Sequence, residues 1–160
     1  MDAVLVGAGT IRGGNIVFGV WHPELVGLRA ALGKPRYPIQ IVATLYGLDF
    51  SEHLLFNVPE IQVMVLTLAS SARRMRGDAA VRPWVRLLEM ETPDALPDAF
   101  TTLRALGIER ISGVGGRHLA TQLIDAGLVQ DVYLTTAPQP GGEPETPMYP
   151  HALQIGRAHV

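Results

Sequence analysis

Short, continuous apolar runs recur along the chain, separated by polar, glycine-rich or proline-rich segments. Such runs predict strands of a parallel sheet, because those strands are covered on both faces. The predicted strands cover residues 3–6, 39–45, 61–67, 84–90, 111–114 and 132–136, with a short additional strand at 54–56. Most of the strands are therefore expected to lie in the interior.

Three of the intervening segments have apolar residues at helical spacing and boundary residues typical of helices. One helix is predicted from Pro23 to Gly33, a second over 93–107 and a third over 118–126. The remaining segments are predicted to be loops at 13–22 and 138–150 and a polar, basic turn at 70–76. Strands that alternate with helices favour an α/β fold with a mostly parallel central sheet flanked by helices, since parallel neighbours need crossover connections.

The composition favours one globular domain and argues against several classes of protein. The 160 residues are 48% hydrophobic, and the formal net charge is -2. The 13 Lys and Arg residues are spread along the chain, so no surface for nucleic acid is predicted. No apolar run approaches the ~20 residues that span a bilayer, and no secretory signal is predicted, so a cytoplasmic location is expected. There is no cysteine, and the 5 histidines lack ligand spacing, so no metal site is predicted.

Two of the predicted strands end in glycine turns. Gly113-Val114-Gly115-Gly116-Arg117 leads into the third helix, and Gly7-Ala8-Gly9-Thr10 follows the first strand. A strand that turns on glycine into a helix leaves backbone N–H groups at the positive end of the helix dipole, which suits a phosphate. Ligands of such sheets lie beyond the carboxyl ends of the strands, where both turns fall. The alternative is a pair of tight turns that bind nothing.

The first glycine turn also suggests a Rossmann-type dinucleotide site. The third glycine of that motif is replaced by Arg12, however. The following strand ends in Thr44-Leu45-Tyr46 and lacks the acidic residue that binds the ribose in Rossmann domains. A Rossmann-type nucleotide-binding module is therefore kept as the second hypothesis.

The order and spacing of these segments resemble a known enzyme family. The most specific parts are Val6-Gly7-Ala8-Gly9-Thr10 and Gly115-Gly116-x-x-Leu119-x-x-x-Leu123-x-x-x-Gly127-Leu128-Val129. Together with residues 39–44 and 132–138, they resemble the reductase domain of riboflavin biosynthesis, which has the dihydrofolate reductase-like fold. The resemblance covers most of residues 2–148, so a single reductase-like domain is expected over 1–154.

The resemblance implies an enzyme that uses NADPH to transfer a hydride to a carbon–nitrogen double bond, or its open-chain equivalent, on a small pyrimidine-type substrate. The cofactor carries this chemistry and the protein orients it. Members of the family commonly pair as homodimers. No general acid or base is assigned: His118 is the titrating group nearest the predicted phosphate site, and the alternative is a partly exposed histidine without a role.

Carried over by position, the resemblance places the cofactor along the carboxyl edge of the sheet. The predicted contacts are Gly7, Gly9, Thr10, Thr44, Ser70, Ser71, Arg73, Gly113, Gly115, Gly116, Arg117 and His118. The turn at 113–118 would approach the pyrophosphate, the turn at 7–10 the nicotinamide half, and Thr44 a ribose. Residues 70–73 would hold the adenosine 2'-phosphate, because hydroxyls and a guanidinium after a strand suit a dianion. The alternative for residues 70–73 is a solvated basic turn.

The chain departs from the family pattern on the substrate side. The polar stretch that grips the substrate is replaced by Gly14-Asn15-Ile16-Val17-Phe18, and Trp21 stands where an arginine would fall. Val114 stands in place of a glutamate. These departures remove polar substrate contacts and keep the cofactor contacts, which argues against the riboflavin intermediate itself as the substrate.

Both ends of the chain differ from those of an ordinary domain. The first strand of the family would lie upstream of Met1, so the domain is expected to be incomplete. Residues 155–160 match one reading frame of a widely used sequencing adapter and are expected to be a non-native tail. Besides the favoured reductase and the Rossmann-type module, a truncated and inactive domain is the third hypothesis.

Overall fold

Five parallel strands form the centre of the molecule, in the order β4-β3-β2-β1-β5. In chain order they are β1 (Ala3–Gly7), β2 (Ile39–Thr44), β3 (Val63–Leu68), β4 (Val85–Met90) and β5 (Ile111–Gly113). The computed structural model describes residues 1–133, without the side chain of Arg117. The predicted α/β fold with a mostly parallel sheet is confirmed.

Helices connect the strands. They are α1 (Ala8–Arg12), α2 (Pro23–Ala31), α3 (Ala69–Ala80), α4 (Leu96–Ala105) and α5 (Arg117–Asp125). The three predicted helices correspond to α2, α4 and α5, and residues 13–22 form a loop as predicted. Val132 and Tyr133 lie outside any strand, whereas the rest of the predicted strand at 132–136, the loop at 138–150 and the tail lie outside the described residues.

The predicted strand at 54–56 is wrong, because this segment forms the 3-10 helix Leu54–Asn57, which follows the shorter 3-10 helix Phe50–Glu52. The Asn57 side-chain amide donates to the carbonyls of Phe50 (2.7 Å) and His53 (2.9 Å). These local bonds hold the backbone in turns, since an Asn side chain competes with the strand ladder for backbone groups. Leu55 and Phe56 are buried, so apolar content alone suggested a strand.

The predicted turn at 70–76 is also wrong, because these residues belong to α3. Ala72 and Met75 lie on one side of this helix and are buried against the sheet, whereas Arg73 and Arg76 face solvent. Two apolar residues three positions apart form one helix face. The dense polar and basic residues on the other face concealed this short apolar pattern.

Successive side chains of each strand point to opposite faces of the sheet, and both faces are covered by other elements. One face carries Val42 and Val65, which pack with α1, α3 and the 3-10 helices. The other face carries Ile41 and Leu66, which pack with α4 and α5. The sheet therefore lies between two apolar layers, and its carboxyl edge remains accessible at the strand ends.

Helix α2 packs little against the rest of the described chain. Its leucines, Leu25 and Leu28, are exposed, and Arg29 is its buried residue. The Arg29 guanidinium donates to the carbonyls of Pro35 (2.9 Å) and Met1 (3.0 Å), which ties α2 to the start of β1. Within residues 1–133, no helix is long and apolar enough to cross a bilayer, and no three acidic or histidine side chains are grouped to hold a metal ion.

Asp2 ties together the amino ends of β1 and β5. Its carboxylate accepts hydrogen bonds from the Lys34 ammonium and from the backbone N–H groups of Glu109 (3.1 Å) and Arg110 (2.8 Å). The hydrogen bond from Lys34, assisted by these amides against the opposing effect of burial, lowers the pKa of Asp2 to about 2. Asp2 therefore stabilises the fold in its ionised form.

Replacing Asp2 with asparagine is expected to destabilise the protein at neutral pH and not at strongly acidic pH. The pKa of Asp2 is lower in the folded chain than its ordinary value of 3.8, so its contribution is present above ~4 and is lost as the pH falls towards 2. We expect a loss of about 1–2 kcal/mol at pH 7 after allowing for partial exposure. Urea denaturation of both proteins at pH 7 and near pH 2 measures this difference, with Glu109→Gln as the control; equal losses at the two pH values would contradict the assignment.

Candidate active site

The two glycine turns lie at the point where the chain reverses direction across the sheet. From β1 the chain proceeds through β2 and β3 to β4 on one side, and then returns to place β5 on the other side of β1. In open parallel α/β sheets, ligands bind outside the carboxyl ends of the strands at such a switch point. The ends of β1 and β5 are therefore the favoured binding position.

The turns contact each other through their glycines. Gly116 has φ +85°, and a Cβ atom built on it would lie 3.6 Å from Cα of Gly7. Gly115 has φ +89°, a backbone conformation that residues with a side chain rarely adopt. The two predicted glycine segments thus form adjacent walls of one cleft, here named the glycine cleft and defined by residues 7–10 and 113–118.

Thr10 provides a polar side chain in the glycine cleft. A Cβ atom on Gly115 would lie 3.4 Å from the Thr10 hydroxyl oxygen, so this hydroxyl lies beside the second turn. Among residues 1–133 no hydrogen-bond partner binds the hydroxyl, which leaves it free to donate and accept. A Cβ atom on Gly9 would have no neighbour within 4 Å, so that side of the cleft is open.

Helix α5 directs backbone amides into the glycine cleft. It starts at Arg117 after the cap residue Gly116, and it is held on the sheet by Leu119 and Leu123, which are buried. Within the described residues, the N–H groups of Gly115 and Gly116 donate to no protein acceptor. Free amides at the positive end of a helix attract anions, so this wall suits a phosphate.

Gly113 and His118, at the two ends of this turn, are exposed. Gly113 ends β5, and the N–H group of the next residue, Val114, donates to the carbonyl of Leu5 at 2.9 Å, which continues the pairing with β1. His118 is exposed on the first turn of α5. The predicted backbone contacts of Arg117 and His118 with a pyrophosphate are compatible with this position and stay predictions.

Two of the predicted cofactor residues use their hydroxyls inside the protein. The buried Thr44 hydroxyl accepts from the Gly47 N–H group (3.1 Å) and lies 3.2 Å from the Gly47 carbonyl, to which it donates. The buried Ser71 hydroxyl donates to the Leu45 carbonyl at 2.7 Å. These bonds shape the turn after β2, so neither hydroxyl is free for a ligand; the roles of Thr44 and Ser71 stay predictions.

Ser70 and Arg73 lie on the exposed side of α3, beyond the end of β3. The Arg73 guanidinium donates to the Ala69 carbonyl of its own helix at 3.4 Å. Strands β3 and β1 are separated by β2, so these residues are about 10 Å across the sheet from the end of β1. Their predicted contact with the adenosine 2'-phosphate stays a prediction.

A cavity of ≈ 360 Å³ lies beside the glycine cleft and was not predicted. Arg12, His53 and Arg74 line it, together with residues of the turn after β2. These three residues come from α1, from the junction of the 3-10 helices and from α3, far apart in sequence. No local motif marks them, so only the fold could bring them together.

The wall expected to face the substrate is mainly apolar. Val17, Phe18 and Val114 are half-buried against the core. The loop at 13–22 is attached to β2 through the buried Gln40, which accepts from the Phe18 N–H group (3.0 Å) and donates to its carbonyl (2.8 Å). The structure therefore gives the loop a fixed position while offering few polar side chains to a substrate.

Three solved structures are similar to this fold. A pyrimidine reductase-like protein from Corynebacterium diphtheriae is 27% identical with a TM-score of 0.64, over 80% of this chain and 55% of that one. RibD from Acinetobacter baumannii is 19% identical with a TM-score of 0.57, over 80% of this chain and 32% of that one. The deaminase/reductase from Thermotoga maritima is 18% identical with a TM-score of 0.50, over 84% and 39% respectively.

The protein thus spans about half the length, or less, of these structures. No curated protein matches the chain significantly. The α/β fold with its parallel sheet is that of the RibD-like reductases, with the dihydrofolate reductase-like architecture expected from the sequence. The family model described as the RibD C-terminal domain matches residues 1–157, and the chain belongs to this family.

Proposed function

We propose that the protein is an NADPH-dependent reductase of a small pyrimidine-type or related substrate, of the kind that acts in riboflavin biosynthesis. Membership of the RibD C-terminal domain family supports an oxidoreductase. The observation that carries the cofactor assignment is the contact between Gly7 and Gly116 at the switch point of the sheet. A nucleotide pyrophosphate needs such close access to backbone amides.

The residues of the glycine cleft fit a dinucleotide. Side chains at Gly115 and Gly116 would narrow the gap to Thr10 and Gly7 and would oppose the positive φ values. The free amides of this turn would bind the pyrophosphate, and the Thr10 hydroxyl would orient the nicotinamide half. NADPH, when bound, supplies the hydride, and the chain's own residues bind, orient and shield it.

The apolar wall expected to face the substrate favours a flat ring that makes van der Waals contacts through its faces. Val114 and Phe18 offer apolar contacts where the family pattern has polar groups. We therefore place a pyrimidine or a related heterocycle with a carbon–nitrogen double bond, or its open-chain equivalent, against this wall. Pairing of two copies, expected from the resemblance, stays part of the proposal and is tested by light scattering of the purified protein.

Fluorescence titration tests the cofactor assignment. We expect NADPH to bind more tightly than NADH and the bound reduced nicotinamide to change its emission. Preference for NADH would support the Rossmann-type module, and absence of binding by both would contradict the reductase. NADPH oxidation is then measured with 5-amino-6-(5-phosphoribosylamino)uracil, which is named for the Thermotoga maritima enzyme. Because polar substrate contacts of the family pattern are replaced, we expect this compound to be a poor substrate.

Replacing Thr10 with valine is expected to weaken NADPH binding while leaving the fold intact. Valine has the shape of threonine and lacks the hydroxyl, whose oxygen lies beside Gly115. Loss of one hydrogen bond corresponds to a roughly three- to tenfold weaker affinity. The same titration measures it, with Thr101→Val in the exposed part of α4 as the matched control; equal affinities of the Thr10 variant and the parent protein would place the nicotinamide elsewhere.

A further inference from the structure

The ≈ 360 Å³ cavity beside α1 has its own binding chemistry and is here named the arginine cavity. Its defining residues are Arg12, His53 and Arg74. It lies at the carboxyl edge of the sheet next to the turn that follows β2, whereas the glycine cleft lies at the ends of β1 and β5. The two sites are therefore neighbours on one edge and involve different residues.

Two guanidinium groups are fixed at this cavity by consecutive carbonyls of the turn. Arg74 donates to the carbonyl of Tyr46 at 3.0 Å, and Arg12 donates to the carbonyl of Gly47 at 2.9 Å. Each guanidinium has five N–H donors, so several remain unused. Two guanidinium groups held on neighbouring backbone carbonyls present several charged N–H donors, which suit an anion with several oxygens.

Neither of these arginines is neutralised by a carboxylate. In the part of the chain that the structure describes, the ion pairs within 4.0 Å join His22 to Glu24, Lys34 to Asp2 and Arg76 to Glu89. Asp49 lines the same cavity, but its carboxylate accepts from the Ser51 N–H group (2.9 Å) and hydroxyl (2.6 Å). The Asp49 carboxylate is thus bound to its own turn and, within the described residues, forms no ion pair with Arg12 or Arg74.

His53 adds a polar side chain to the cavity. It is only 9% exposed, it lines the cavity, and its backbone carbonyl is occupied by Phe56 and Asn57. Its imidazole nitrogens make no hydrogen bond within residues 1–133. In the part of the chain that the structure describes, the buried side-chain polar atom without a partner is the Thr67 hydroxyl, so the imidazole nitrogens of His53 are reached by solvent and are available to a ligand in the cavity. This is an observation independent of the arginines.

We infer that the arginine cavity binds a phosphate monoester, with Arg12, Arg74 and His53 contacting its oxygens. Glu52 and Asp78 also line the cavity. Their carboxylates repel a bare dianion but accept hydrogen bonds from hydroxyl groups, so a phosphate attached to a hydroxyl-bearing group fits better than inorganic phosphate. The monoester could come from a separate small molecule or from the 2'-phosphate of a dinucleotide in the neighbouring glycine cleft.

Titration of the protein with glycerol 3-phosphate, monitored through the imidazole resonances in NMR spectra, tests this site. The His53 resonances are identified by their absence from a His53→Gln variant. We expect saturable shifts at His53, tighter binding of glycerol 3-phosphate than of inorganic phosphate, and no shift with glycerol. Absence of a saturable shift with glycerol 3-phosphate would overturn the assignment.

Three arginine variants separate binding from general charge effects. Arg74→Gln and Arg12→Gln are expected to weaken glycerol 3-phosphate by roughly tenfold or more, because each removes a charged hydrogen-bond donor. Arg76→Gln removes the same charge from α3, where Arg76 pairs with Glu89, and is expected to bind as the parent protein does. Unchanged binding in both Arg74→Gln and Arg12→Gln would overturn the site, and circular dichroism confirms that the variants are folded.

Competition with dinucleotides identifies the source of the phosphate. Displacement of glycerol 3-phosphate by NADPH and not by NADH would assign the site to the cofactor's 2'-phosphate. Simultaneous binding of NADPH and glycerol 3-phosphate would assign it to a separate phosphorylated molecule. Both results support the arginine cavity, and the site would stand even if the protein bound no dinucleotide.

Discussion

Replacing Gly116 with alanine is expected to remove most of the affinity for NADPH. Gly116 has φ +85°, and a side chain there would be directed at Cα of Gly7 at 3.6 Å. The chain would have to change its backbone conformation to relieve the strain, which costs about 1–2 kcal/mol for a residue with a side chain. That change would rotate the free amides of the turn away from the position of the pyrophosphate.

We expect the affinity for NADPH to fall by more than roughly tenfold, since two or more charge-assisted hydrogen bonds are lost together. Fluorescence titration measures the affinity, and thermal unfolding measures the accompanying loss of stability. Both measurements are needed, because partial unfolding could also lower the apparent affinity. In that case the loss of NADPH affinity would follow the loss of thermal stability.

Gly107→Ala provides the matched control. Gly107 has φ +83° and no neighbour within 4 Å of a Cβ atom, so alanine there incurs the same backbone strain at the end of α4, away from the glycine cleft. We expect a similar loss of stability with unchanged NADPH affinity. Equal affinities of Gly116→Ala and Gly107→Ala would show that the second glycine turn does not bind the cofactor.

The parts of the fold that the sequence predicted correctly are those in which local pattern and burial agree. β1 and β2 are apolar because both of their sides are covered, so a continuous run marks each strand. The glycine turn at 113–117 was predicted because a positive φ at Gly115 and Gly116 demands glycine. Their proximity to Gly7 follows from parallel pairing of β1 with β5, which the sequence does not encode locally.

The predictions for residues 54–56 and 70–76 were wrong because contacts with distant residues, or local side-chain hydrogen bonds, determine the structure there more than the local amino-acid composition does. The basic residues of α3 suggested a turn, but Ala72 is buried and Met75 packs against the sheet, which stabilises a helix there. At residues 54–57, hydrogen bonds from the Asn57 side chain to backbone carbonyls stabilise a 3-10 helix in an apolar segment. The arginine cavity could not be predicted, because Arg12 and Arg74 are positioned by bonds to a turn far from both in sequence.

Replacing Phe50 with alanine is expected to cause the largest loss of stability of the changes considered. Phe50 is fully buried, and its ring stacks on Phe56 at a centroid distance of 4.3 Å. Removing a buried aromatic side chain costs about 3–5 kcal/mol through lost burial and the cavity that remains. A domain with a total stability of about 5–15 kcal/mol would lose a large fraction of it.

Substitution of Phe50 should disturb ligand binding at the arginine cavity more than at the glycine cleft. Phe50 lies in the first 3-10 helix, and its partner Phe56 lies in the second, so the ring pair holds the two short helices on either side of His53. The glycine cleft depends instead on pairing of β1 with β5. Phe50→Leu is a milder change that keeps an apolar side chain. It is therefore expected to weaken the binding of glycerol 3-phosphate more than the binding of NADH, which has no 2'-phosphate and so tests the glycine cleft alone.

Urea denaturation at pH 7 measures the stability of these variants, and Leu54→Ala is the matched control. Leu54 belongs to the same pair of 3-10 helices but is 49% exposed, so its truncation should cost less than about 1 kcal/mol. A similar loss for Phe50→Ala and Leu54→Ala would mean that the aromatic pair does not anchor this segment. In that case the buried position of His53 would need a different explanation, because the residues that flank it would not be held by the core.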